Sequence, residues 1–188
     1  MKKVISIYGI AAAGKSTQAK KLEEEFGWMH FGMGDRLREE IASGSDLGKE
    51  IEKSVSAGVL IPDELMIQII KNLGPQIKEK GIIFDGFPRM YSQTLMTEKL
   101  LSEIGMEFDT FFLLEVSPQE ALRRIKARST SGVRADDKDE KAIQNRMAVF
   151  ERESKVLIDY YQKIGKLVKI NGELSIDEVY AEIKKHLS

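Results

Sequence analysis

Cysteine is absent from the 188 residues, which excludes disulfides and cysteine-based zinc sites outright. No apolar run approaches the 18 or so residues that a membrane span needs. The amino terminus reads as a strand with two lysines and lacks the long apolar core and small-residue cleavage site of a secretory signal. Charge of one sign is missing too. With 29 Lys and Arg against 30 Asp and Glu the net charge is -1, so the total gives no hint of a nucleic-acid partner and any basic cluster must be local. Histidine occurs only at His30 and His186, neither with a ligand-spaced partner, and both read as structural. Internal repeats and low-complexity tracts are also lacking. What remains has an ordinary globular composition, 42% hydrophobic and 31% charged. The length suits one domain with a sizeable core and small excursions, not two full domains. A soluble cytoplasmic protein without a membrane partner is the expectation.

One stretch organises the chain. The run Lys2-Lys3-Val4-Ile5-Ser6-Ile7-Tyr8 leads at once into Gly9-Ile10-Ala11-Ala12-Ala13-Gly14-Lys15-Ser16-Thr17. That is G-x-x-x-x-G-K-[ST] with an apolar β-branched run before it and a helical pattern after it, the context that makes this spacing a phosphate loop. Successive backbone N–H groups of such a loop wrap a phosphate chain, and the following helix N-terminus adds about half a positive charge. Lys15 would bring a mobile ammonium to the β- and γ-phosphates, and Ser16 or Thr17 a hydroxyl to a hydrated Mg²⁺.

Further apolar strand-like runs recur at residues 82–84, 110–116 and 166–170, with a shorter one at 28–31, and helical patterns fill the gaps. This alternation predicts an α/β protein: a five-stranded parallel sheet between two helical layers, joined by right-handed crossovers. Ser117-Pro118-Gln119-Glu120, Ser175-Ile176-Asp177-Glu178 and Asp137-Lys138-Asp139-Glu140 read as helix starts with capping boxes. The last opens a helix to about Gly165, whose Ile143, Met147, Phe150, Val156, Leu157, Tyr160, Tyr161 and Ile164 are for the most part consistent with one buried stripe. Two segments fall outside a plain doubly wound sheet. Residues 32–61 carry two helical patterns around a Ser43-Gly44-Ser45-Asp46 break, a small helical excursion. Residues 128–137 include a polar, small-residue stretch flanked by arginines, which reads as a short lid. The core is then residues 1–31, 62–127 and 138–188.

The strand at 82–84 runs into Asp85-Gly86-Phe87-Pro88-Arg89. An acid at the C-terminal end of a parallel strand lies on the edge where open α/β sheets bind ligands, and beside a phosphate loop it would order Mg²⁺. Arginine is the other signal: Arg38 in the excursion, Arg89, Arg124 and Arg128 four apart on one helix face, Arg134 in the polar loop, and Arg146 on the long helix. Phosphoryl transfer asks little covalent chemistry of a protein. It needs two phosphates in line, water excluded and charge neutralised, which planar guanidinium forks do better than lysine.

Taken together, the chain resembles the nucleoside monophosphate kinases, and within them the adenylate kinase family. The residues that carry the resemblance are Gly14-Lys15-Ser16-Thr17-Gln18, Gly34-Asp35-Arg36-Leu37-Arg38, Gly58-Val59-Leu60-Ile61-Pro62-Asp63-Glu64, Asp85-Gly86-Phe87-Pro88-Arg89 with Gln93, and Arg134-Ala135-Asp136-Asp137. They occur in the family's order and spacing across essentially the whole chain, and DGFPR with Gln four places on is the most specific. The resemblance implies Mg²⁺-dependent transfer from ATP to AMP. Lys15 would serve both phosphate chains, within a donor loop of Gly9, Ala11, Ala12, Ala13, Gly14, Ser16 and Thr17. Arg38 and Arg89 would hold the monophosphate's phosphate, with Gln93 reading its base beside Gly32, Met33, Leu60 and Gly86. Asp85 would order the metal through water, with Ser16 near it. Arg124, Arg128, Arg134 and Arg146 would clamp the transferring phosphoryl and the donor, Asp136 and Asp137 would tie lid arginines, and the Phe87–Pro88 bond would be cis. Residues 32–61 would bind the monophosphate. Monomers are usual in the family and trimers occur in some branches.

Four positions depart from the family's pattern. Ala11 and Ala12 stand where Pro and Gly are usual, and an alanine at positive φ costs about 1–2 kcal/mol, so a slightly reshaped or strained loop is expected. Ser16 replaces a glycine, Gly32-Met33 replaces Ser-Thr, and Met90 replaces a threonine. If Met33 and Met90 lined the base pocket, their adaptable surfaces would relax base discrimination. A UMP/CMP or broad-specificity kinase is therefore the close alternative. A P-loop switch protein is a different class, but the Asn-Lys-x-Asp guanine reader is lacking. A non-catalytic nucleotide binder would not need Lys15, Asp85 and every arginine.

Overall fold

Five residues, Val4–Tyr8, make strand β1, and all are buried. Parallel sheets are covered on both faces, so their interior strands read as unbroken apolar runs, which is what this sequence has. The period of two still operates. Ile5 and Ile7 enter one apolar cluster, Val4 and Tyr8 the clusters on the opposite face. The structure, a computed structural model, describes residues 2–57, 63, 67, 70–71, 73–130 and 139–187.

Helix α1 (Lys15–Phe26), β2 (Met29–Gly32), α2 (Met33–Ala42) and α3 (Asp46–Ala57) follow, then α4 (Gly74–Lys80), β3 (Ile82–Asp85) and α5 (Tyr91–Glu103). The chain continues through β4 (Thr110–Glu115), α6 (Pro118–Thr130), α7 (Glu140–Lys163), β5 (Leu167–Asn171) and α8 (Ile176–Lys184). The strands form one sheet in the order β2-β3-β1-β4-β5, every pair parallel. The expected α/β architecture and its five strands are therefore observed. From β1 the chain crosses to the edge strand β2, returns inward to β3, and then passes β1 to reach β4 and β5. The connections thus leave the neighbouring strands β1 and β3 in opposite directions, and the crevice beyond their carboxyl ends is the ligand edge.

On one face Ala19 and Leu22 of α1, Ala121 of α6, and Val179 and Ile183 of α8 pack with Ile5, Ile7 and Ile83. On the other, Val4, Ile82 and Phe84 meet Ile77 of α4 and Leu101 of α5. Beside them Tyr8, Phe111, Leu157 and Tyr161 form a smaller cluster, with Phe111 and Tyr161 stacked at 4.0 Å.

Three sequence expectations are corrected. The α7 cap is Asp139, not Asp137: its carboxylate accepts from the N–H groups of Lys141 and Ala142, closer to the first buried residues Ala142 and Ile143. Asp137 itself lies outside the described residues. At α6 only half a box forms. Ser117 Oγ accepts from Glu120 N at 3.3 Å, but the Glu120 carboxylate turns to Arg123 and Arg124, and Ser117 N donates to Glu173 instead. A doubled guanidinium partner outcompetes one backbone N–H. Along α7, Leu157 and Tyr161 are buried one turn apart, while Val156 is 50% exposed and Ile164 caps the helix end, so those two leave the stripe. The box at Ser175 is complete.

The excursion takes the form of α2 and α3 packed on each other after the Ser43–Ser45 break. Most of the expected lid, and Leu60, Arg134 and Asp136, lie outside the described residues. Among the described residues no helix is long and apolar enough to cross a membrane.

Candidate functional site

The carboxyl ends of β1 and β3 open into a cleft of about 750 Å³. One rim is the phosphate loop. Its backbone leaves β1 at Gly9, where a Cβ would come within 2.7 Å of the Leu114 carbonyl oxygen, so only glycine lets the loop lie against β4. Ala13 N donates to Ile10 O at 3.1 Å, closing a turn, and Gly14 caps α1 at φ 95°. Ala12 sits at φ 62°, the chain's one described non-glycine residue with positive φ, so the strain expected at this departure is present. Ala11, Ala12, Ala13, Ser16 and Thr17 all line the cleft with the two glycines. Lys15 Nζ donates to the carbonyls of Gly9 (2.9 Å) and Ile10 (2.8 Å), folded back over its own loop.

Asp85 ends β3 beside that loop, 6% exposed. Burial alone would push its carboxyl up. The hydrogen bond from His30, the Lys15 ammonium and the Ser16 hydroxyl outweigh that and hold it below the ordinary carboxylate range, so it stays ionised. His30 Nε2 lies 3.4 Å from Asp85 Oδ2, and its Nδ1 lies 3.8 Å from Glu23. Sequence reasoning set His30 aside as structural. What it lacked was strand order: β2 pairs with β3, placing Gly32 opposite Asp85 and His30 two residues back on the same side.

This donor set tests the metal expectation. Among the described residues no three His, Cys, Asp or Glu side chains gather as a metal cage. One ionised buried carboxylate beside one hydroxyl is the donor set of a hydrated Mg²⁺ that takes its remaining oxygens from phosphates and water. The residues present fit that ion.

Arginines border the rest of the cleft. Arg89, partly buried, donates from Nε to Gly86 O (2.9 Å), and its backbone N–H donates to Gln93 Oε1 (2.9 Å). Burial lowers the pKa of its guanidinium, and Tyr8 and Asp85 pull the other way. Arg124 is fixed by Glu120 Oε1 (2.6 Å) and Gly172 O (3.0 Å), while Arg123 and Arg124 hold the Glu120 carboxyl down to about 2. Arg128 and Arg146 also face the cleft. Arg38 reaches it from α2, ion-paired with Asp35 one turn earlier and 41% exposed.

Three expected positions are not among the residues that line the cleft. Gly32 ends β2 and is buried. Met33 is 2% exposed, in an apolar cluster with Phe31, Phe84 and Phe87, and is not a cleft-lining residue. Gln93 is buried under Arg89. Met90 precedes α5, and the Phe87–Pro88 bond is cis. Sequence reasoning missed the opposite wall, where Gly172, Leu174 and Ile176 line the cleft. Its one local signal was the exposed apolar pair Leu174 and Ile176 flanking a capping serine.

Comparison with known proteins agrees with this geometry. Residues 7–166 match the family model described as adenylate kinase. An adenylate kinase from Phocaeicola vulgatus is 39% identical over 180 residues, 95% of each chain. One from Bacteroides thetaiotaomicron is likewise 39% identical at the same coverage. One from Methanosarcina barkeri is 37% identical over 207 aligned positions, 96% of each chain. With the phosphate loop, Asp85 and the arginines on one cleft and full-length relatives at this identity, the chain belongs to the adenylate kinase family.

Proposed function

We propose that the chain catalyses reversible phosphoryl transfer, ATP + AMP ⇌ 2 ADP, with Mg²⁺. The observation that supports this is one cleft lined both by the glycine-rich loop with Lys15 and by separate arginines. The loop Gly9–Thr17 offers backbone N–H groups, a helix N-terminus and Lys15 to the donor. Arg89 and Arg38 stand across from it for the acceptor's phosphate. A hydrolase needs one such rim; a transfer between two nucleotides needs both.

Lys15 leaves the carbonyls of Gly9 and Ile10 and moves onto the phosphates, exchanging two neutral acceptors for charged ones. Arg38 and Arg89 fix the acceptor so that one phosphate oxygen attacks the γ-phosphorus while the bond to the bridging oxygen of the leaving ADP breaks. Arg124, Arg128 and Arg146, joined by Arg134, neutralise charge on the group in flight. Asp85 and Ser16 would hold a hydrated Mg²⁺, which when bound would supply further neutralisation of phosphate charge. Residues 32–61 and 128–137 serve as the moving walls that exclude water. Leu174 and Ile176 give the donor base an apolar seat.

For the acceptor base we read AMP. Gln93, its Oε1 held by Arg89 N–H, retains an amide donor for the base edge, while Met33 is packed in an apolar cluster. A cytoplasmic location follows from these substrates. The test is ADP formation from ATP–Mg²⁺ with AMP, CMP, UMP and GMP supplied separately, with Lys15→Ala as the control. Turnover restricted to AMP is expected. Comparable use of CMP and UMP would replace this reading with the broad-specificity one, and no monophosphate-dependent turnover would overturn it.

A further inference from the structure

One buried titratable group in the cleft has no part in the mechanism above. Tyr8 is the last residue of β1, immediately before the phosphate loop, and is 3% exposed. Its ring is flanked by Phe111 at 5.2 Å and by Phe150, itself a cleft residue, at 5.4 Å. These contacts fix where the phenol can point. Tyr8 lines the cleft together with Arg89, Arg146 and Glu153. The Tyr8 hydroxyl is not one of the fully enclosed, unpartnered side-chain oxygens, unlike that of Tyr161. Its ring is buried while the residue borders the cleft, the two-ended placement that suits a tyrosine. A strand residue that only filled the core would do so as phenylalanine.

The geometry points to the Tyr8 hydroxyl as a substrate-binding donor, giving a hydrogen bond to the acceptor's phosphate where Arg89 holds it. The inference rests on the phosphoryl-transfer reading and adds a residue to it. The charge environment selects the acceptor side: Arg89 is the cation whose field acts on this phenol, and Tyr8 acts in return on Arg89. Burial, ahead of Arg89 and Glu153, pushes the phenol well above its ordinary range, so the hydroxyl keeps its proton at neutral pH and can only help a phosphate by donating. A neutral donor suits this position. A third full cation beside Arg89 and Arg146 would add repulsion in the empty cleft, while a phenol supports a phosphate oxygen without adding charge. Among the described residues Glu153 is the anion whose charge acts on the phenol, and it is the alternative acceptor when no phosphate is bound.

Tyr8→Phe keeps the ring and removes only the oxygen. Steady-state rates are measured with AMP varied at saturating ATP and with ATP varied at saturating AMP. Binding of AMP and of adenosine is measured by calorimetry, and the melting temperature is recorded. The expected result is a fall in kcat/KM for AMP of about 10- to 100-fold, the worth of a hydrogen bond to a charged group. KM for ATP stays within about twofold, and the preference for AMP over adenosine shrinks by the same factor as kcat/KM. Wild-type AMP kinetics in the variant, or a loss shared by AMP and ATP with a lower melting point, would overturn the inference in favour of a core or Glu153-bonded phenol. Wild-type protein without AMP-dependent turnover would overturn the phosphoryl-transfer reading separately. The AMP-against-adenosine binding ratio would then still decide whether Tyr8 touches a phosphate.

Discussion

The two rims of the cleft are built differently. The rim proposed for the donor is backbone and is fastened to the body of the protein. Gln18 Nε2 donates to Ile176 O (2.9 Å), Lys21 pairs with Asp177 (2.6 Å), and Tyr180 and Lys184 both reach Glu25. These contacts tie α1, which begins in the phosphate loop, to α8, which begins at the donor-base wall. The acceptor rim at Arg38 is a side chain on α2, whose ion pair with Asp35 is local to that helix and half in water. The helices α2 and α3 pack chiefly on each other. On the proposed reading the donor would meet a prepared surface, and the Arg38 part of the acceptor site one that can travel. A moving wall comes from elements with few fixed contacts, so closure would fall to α2 and α3.

Removing Lys15 tests the prepared side most severely. Lys15→Ala leaves the loop backbone intact and is expected to lower kcat by about 10³-fold or more, because a buried transition-state charge loses its mobile cation. ADP formation over hours reads this, and a fall under tenfold would show that backbone N–H groups suffice. Arg38→Ala tests the travelling side. Losing one charged phosphate contact should cost about 10- to 100-fold in kcat/KM for AMP, with KM for ATP moving less than about twofold. Equal losses for both nucleotides would show that the rims are not separable.

The contrast also separates what was legible from what was not. β1, its loop and α1 are contiguous, so strand periodicity, glycine placement and the loop's lysine could all be read in one pass. Asp85 and Arg89 were legible for the same reason, lying within five residues at a strand end. His30 was not, because its meaning depends on β2 pairing with β3, and pairing order is a property of crossovers. Gly172, Leu174 and Ile176 were missed because they reach the cleft from the far end of the chain, with little but two exposed apolar side chains to mark them. Met33 shows the opposite failure. Its neighbourhood in sequence suggested the base pocket, but as the first residue of α2 it turns into the aromatic cluster below.

His30 sharpens the comparison at the seam between the rims. Asp85 has its pKa lowered in the folded protein, so it adds stability that is present above the unfolded aspartate value of about 3.9 and lost as pH falls through the lower folded value. In His30→Ala the cost of burying the carboxylate loses one of its main counterweights. The carboxyl should then rise, and stability should begin to fall at a higher pH than in wild type. Melting temperature measured from pH 7 to pH 3 gives this as a difference curve. Superimposable curves would mean that Lys15 and Ser16 alone hold the charge.

The smallest expected effect concerns strain in the prepared rim. Ala12 at φ 62° carries a backbone penalty that glycine would not, about 1–2 kcal/mol for an L-residue in this region. Glycine returns part of that through its greater freedom in the unfolded chain, which costs about 0.4–1 kcal/mol. Ala12→Gly should therefore stabilise the protein by about 0.5–1 kcal/mol, a rise in melting temperature of about 1–4 °C at this chain length. KM for ATP is the more telling measurement. If the loop is held open by its anchors to β4 and α1, relieving one residue leaves KM unchanged. A rise in KM beyond about threefold would mean that the methyl group stiffens the loop, and that the donor rim is prepared by its own side chain as well as by the fold beneath it.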